Sequence, residues 1–118
     1  MSKYRYWWRP AVVRCIQYYG DLKAHSAVLA PGERKILEAI DNAQRDAQEL
    51  RRGDEILAVS EAILFRGRYT VDQYAGNHFI SRRTVTRMIS KFIDLVAARM
   101  GLLPPAGEAV ADPEELQP

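Results

Sequence analysis

Apolar residues in this chain recur three and four positions apart and almost nowhere alternate. That spacing puts them on one face of a helix, whereas a half-buried strand needs a two-residue period. Even a short β-like run such as Ile63-Leu64-Phe65 lacks alternation and sits inside a better helical pattern. The expected fold class is therefore all-α, with about five helices. At 118 residues the chain can bury one core but not two. The expectation is a single helical domain over residues 1–103. Residues 104–118 carry proline, glycine and acid without periodicity, the composition of a disordered acidic tail.

Punctuation residues divide the pattern. Trp8, Val12, Cys15, Ile16 and Tyr19 form a first stripe with Pro10 inside it, so a helix starts near Arg9 with the proline in its first turn, or a longer helix kinks there. Gly20 is the expected C-cap, and residues 20–30 a connector. Pro31-Gly32-Glu33 opens a second helix of roughly twenty residues, with Ile36, Leu37, Ile40, Ala43, Ala47 and Leu50 on one side and interleaved charges on the other. Gly53 breaks it. Asp54-Glu55 opens a third, with Ile56, Leu57, Val59, Ile63 and Leu64 inward, closing near Arg66-Gly67.

The net charge of +2 conceals a segregated distribution. Residues 1–20 carry Lys3, Arg5, Arg9 and Arg14 and no acid, for +4; residues 21–60 sum to −2. Residues 61–100 return to +4, and 101–118 hold only Glu108, Asp112, Glu114 and Glu115. A basic cluster confined to one segment is either a solvated helix face or a phosphate-binding surface.

The segment from Thr70 carries the most specific pattern. Thr70-Val71-Asp72-Gln73 is a capping box, and a short helix with Val71, Tyr74 and Ala75 inward should follow and stop at Gly76-Asn77-His78. Ser81 is a good N-cap for a helix from 82 to about 100, with Val85, Met88, Ile89, Phe92, Ile93 and Val96 buried and Gly101 ending it. A short helix, a tight turn and a longer helix describe a helix-turn-helix. Ala75 is small where the helices must cross, and Ile80 and Val85 are placed to anchor the turn. The opposite face shows Ser81, Arg82, Arg83, Thr86, Arg87, Ser90 and Lys91 with almost no acid. Arginine pairs with phosphate or bidentately with guanine, and hydroxyls reach either phosphate or base. These seven are the expected DNA-binding residues. The competing reading is a helical hairpin whose arginines only keep it soluble.

The stretch Tyr69-Thr70-Val71-Asp72-Gln73-Tyr74-Ala75, with Phe79-Ile80-Ser81-Arg82-Arg83-Thr84-Val85-Thr86-Arg87, resembles the helix-turn-helix of phage-encoded transcriptional regulators of the RinA and ArpU type. Those modules look like the promoter-reading region 4 of sigma factors. The aromatic opening Tyr4-Arg5-Tyr6-Trp7-Trp8 is also similar to the start of some of these regulators, while residues 21–53 match only in being helical. The resemblance implies a regulator of prophage late genes, with Ser81 capping the recognition helix and Arg82, Arg83, Thr86 and Arg87 facing double-stranded DNA. It also implies a homodimer on a pseudo-symmetric site, although no heptad seam in the sequence sets the stoichiometry. His78 departs from the pattern, standing where such units place an apolar residue; it is expected as a core or turn residue rather than a ligand.

Catalysis has no visible constellation: no glycine-rich phosphate loop, no metal-ligand spacing and no nucleophile elbow. Cys15 and His25 lack an orienting third group, and one Cys with two distant His leaves no zinc set. No enzyme activity, cofactor or metal is expected. The lone cysteine, the absence of an apolar run near ~20 residues and the arginines interrupting the N-terminal apolar stretch predict a cytoplasmic protein without signal peptide or membrane span. Two other functions fit the same residues. One is a small terminase-type subunit that recognises DNA for packaging. The other is a helical adaptor that binds RNA polymerase, or another protein, through the Trp7-Trp8 pair and the acidic middle helix without touching DNA.

Overall fold

In the computed structural model, which describes residues 8–102, every regular element is helical. Six α-helices follow one another: α1 (Arg9–Gln17), α2 (Tyr19–Ala24), α3 (Pro31–Gln48), α4 (Gly53–Ser60), α5 (Val71–His78) and α6 (Arg82–Arg99). A 3₁₀ turn, Ser26–Val28, joins α2 to α3, and a π-helical turn, Glu61–Phe65, extends α4. Trp7, the aromatic lead-in and the acidic tail lie outside the described residues.

The long helix α6 is the axis of the core, packing against α1, α3, α4 and α5. Its buried stripe is Val85, Met88, Ile89, Phe92, Ile93, Val96 and Ala97, one residue more than the periodicity predicts. Val12 and Ile16 of α1, Ile40 of α3 and Val59 of α4 close around it with essentially no exposure. Trp8 is buried in the same cluster, so this half of the tryptophan pair is core. Ser81 caps α6, its Oγ accepting the Thr84 N–H at 3.0 Å. Gly101 ends it at φ +77°, with Gly101 N–H donating to Ala98 and Leu102 N–H to Ala97, a Schellman closure.

Several expectations about boundaries are corrected. Gly20 is not a cap but lies within α2; the chain turns at Tyr18, and the next turn of helix forms at once. Tertiary ties hold that turn against α3. The Tyr19 hydroxyl donates to Asp41 Oδ1 at 2.6 Å, Lys23 Nζ reaches Asp41 Oδ2 at 3.3 Å, and the Tyr19 ring meets Phe65 edge-on at 5.1 Å. Burial and the Asp41 carboxylate both push the Tyr19 hydroxyl above the usual phenol range. The predicted first helix is thus two pieces, and most of the connector 20–30 is helical, α through Ala24 and 3₁₀ over Ser26–Val28.

Gly53 does not break a helix either; it begins α4. The left-handed residue at that corner is Arg52, at φ +68°, whose guanidinium is held by Glu55. Gly53 is needed for a different reason: a Cβ there would run into the Ala47 carbonyl oxygen where α4 starts against the end of α3. Further on, α4 loosens into the π-turn, with the Arg66 N–H donating to Glu61 five residues back, and Leu64 is kept inward.

Candidate functional site

The helices α5 and α6 are joined by only three residues, and the local chemistry of that joint is well defined. Thr70 Oγ1 accepts the Gln73 N–H at 3.1 Å while the Gln73 side chain accepts the Thr70 N–H at 2.9 Å, the reciprocal box the sequence predicts. The helix runs on through Gly76 and Asn77 to His78, the last residue of the expected polar break. It ends because Phe79 turns left-handed, at φ +56° and ψ +39°, which lets the Phe79 and Ile80 N–H groups both donate to the Ala75 carbonyl. Tyr74 and Ala75 are buried against α6 and Ile80 packs at the edge of the core. His78 is not buried: its ring stacks on Tyr74 at 4.0 Å, and Nδ1 donates to the Tyr74 carbonyl at 3.1 Å. That bond, rather than a core position, explains a polar residue there.

The seven residues expected at a DNA surface fall on the solvent side of α6, in differing states of engagement. Ser81 is exposed but committed to its cap, sharing a further 2.8 Å hydrogen bond with the Thr84 hydroxyl. Arg82 is exposed, its Nε 3.1 Å from Asp72 Oδ1 of α5, a pair open to water and of little energetic weight. Arg83 is exposed and makes no hydrogen bond or ion pair among the described residues. Thr86 is half-buried and donates back to the Arg82 carbonyl at 3.0 Å. Arg87 is half-buried, with its Nε shielded from water and without an acceptor among the described residues. Lys91 is half-buried. Ser90 accepts a hydrogen bond at 3.1 Å from the Arg9 guanidinium.

That last contact adds a residue that sequence reasoning did not place. Arg9 stands 81 positions from Ser90, in the other basic segment of the chain. Folding brings the start of α1 alongside the third turn of α6, so that face carries Arg82, Arg83, Arg87, Lys91 and Arg9. The segregation of charge along the sequence was the available signal, but nothing local says that the two segments meet.

Elsewhere, Cys15 and His25 line one open groove of about 420 Å³ together with Tyr18, Val28 and Glu33. The Cys15 thiol is pushed up by burial, away from a thiolate, and His25 Nδ1 donates to the Asp21 carbonyl at 2.9 Å. Among the described residues no group of His, Cys, Asp and Glu is arranged to hold a metal ion, and no helix is long and apolar enough to cross a membrane. Compared with family models, with curated protein sequences and with solved structures, the chain shows no match.

Proposed function

We propose that this chain binds double-stranded DNA as a transcriptional regulator of the phage type, with α5, the three-residue turn and α6 acting as a helix-turn-helix similar to region 4 of sigma factors. In this reading α6 enters the major groove by its N-terminal turns. Arg83 and Arg87 meet base edges or phosphates, and Arg82, Lys91 and Arg9 take the flanking backbone. The observation that carries the reading is the arginine face of α6. Over its first three turns it holds no acid, and the exposed guanidinium of Arg83 is unengaged by the described residues. Arg82 exchanges one solvated carboxylate for phosphate at small cost. A regulator that resembles sigma region 4 is also expected to lie next to RNA polymerase at a promoter, and to pair with a second copy on a two-fold site.

The test is selection of a preferred duplex from a random-sequence pool, followed by affinity against salt concentration. Arg83→Ala and Arg87→Ala each weaken binding by roughly 1–3 kcal/mol and lower the salt slope. Wild-type affinity in the double variant would remove the assignment. A protein-binding adaptor is the second reading, favoured by the exposed Tyr18 and Val28 at the groove beside α2. It would be preferred if no duplex binds with a salt dependence.

A further inference from the structure

The side chain of Phe79 does nothing for the fold. It is 95% exposed, the most solvated large apolar residue described, and its backbone is left-handed, a conformation that L-residues with a Cβ avoid. What the turn requires is backbone work alone, the two N–H groups donated to Ala75, and glycine or asparagine would supply it without strain. The chain uses glycine at Gly67 and Gly101 for the same left-handed turn. Where it does not, at Arg52, the side chain is held by Glu55. Among the described residues, Phe79 alone combines an unfavourable backbone with a ring that has no ring–ring contact and no place in the core. Such a combination points outward, to something beyond the chain.

Its position narrows what that is. Phe79 is the C-cap of α5 and lies two residues before Ser81, the N-cap of the helix that presents Arg82 and Arg83. An exposed phenyl ring three and four positions before two exposed arginines suits a surface that alternates charge with small apolar projections. The major groove is such a surface, because the thymine 5-methyl stands among base acceptors and between phosphate rails. Resting on the DNA-binding reading above, we propose that Phe79 is a specificity-determining residue that packs on a thymine methyl at the edge of the site covered by Arg83.

The experiment uses the full chain and the duplex selected above. Each thymine is replaced in turn by deoxyuridine, which removes only the methyl. The wild type loses affinity at one position, by about 4-fold for one buried methyl. Phe79→Gly and Phe79→Asn bind the parent duplex more weakly by at least that factor, are indifferent to deoxyuridine at that position, and melt no lower than the wild type. Insensitivity of the wild type to every deoxyuridine, or undiminished binding by both variants, overturns the proposal while leaving the arginine assignment standing. A lowered melting temperature in both variants also overturns it, since the ring would then serve the fold. Absence of any Arg83-dependent duplex binding removes the DNA reading itself, and this inference with it.

Discussion

The two longest helices, α3 and α6, have eighteen residues each and form the most extensive helix pairing described, yet they treat charge in opposite ways. The charges of α3 are mixed, with Arg34, Lys35 and Arg45 against Glu33, Glu38, Asp41 and Asp46. Three of its acids are occupied within the chain. Glu33 accepts the Ala30 N–H, Asp41 holds Tyr19 and Lys23, and Asp46 holds Arg99 at 2.7 Å through two nitrogens. The helix α6 has five bases and only Asp94. Of those bases Arg99, in its last turn, is tied to α3, whereas Arg82 and Arg83 stand exposed at the opposite end. A polar helix face is therefore not one kind of object. On α3 it is mortar between elements, and at the start of α6 it is an exposed basic face with one solvated tie, from Arg82 to Asp72.

The inner faces should be equivalent, and that is the largest effect to test. Phe92→Ala in α6 and Ile40→Ala in α3, both fully buried, should each cost about 2–5 kcal/mol by urea denaturation. A loss on one helix only would mean that the pairing is not the core it looks like. Gly53→Ala should come next, at about 1–3 kcal/mol, because the added methyl meets backbone rather than a flexible side chain. The outer faces should differ. Arg34→Ala on α3 should leave duplex affinity and salt slope unchanged, in contrast to Arg83→Ala, and equal effects from the two would dissolve the distinction. The caps sharpen it further. Ser81→Ala should cost about 1 kcal/mol, whereas α3, capped by Ala30, has only the Glu33 bond to lose, so Glu33→Ala should cost less.

The smallest effect concerns the seam itself. The hydrogen bonds from Arg99 hold the Asp46 carboxyl below the usual carboxylate range. A group with a depressed folded pKa stabilises the fold at pH values above its ordinary pKa, and that contribution fades as the pH falls through the folded value. Asp46→Asn should therefore be slightly less stable than the wild type at pH 7, with the difference vanishing in strong acid. Denaturation midpoints compared across pH would show it.

Much of this architecture is written in local sequence. The all-helical class, the stripe from Val85 to Val96, the Thr70–Gln73 box, the Ser81 cap and the Gly101 stop are properties of residues three or four apart, and such neighbours meet in any helix whatever surrounds it. The polar face of α6 follows from the same geometry, since burying one stripe leaves its complement outside. Only tertiary contacts decided the rest. Gly20 lies inside a helix because Tyr19 is anchored to Asp41 and Phe65, and Gly53 opens one because Ala47 crowds it. Arg9 joins Ser90 across a separation of 81 residues. Periodicity records which residues face inward on one helix, but not which helix they will face; that choice is made when the stripes pack, and it brings distant side chains to a common surface.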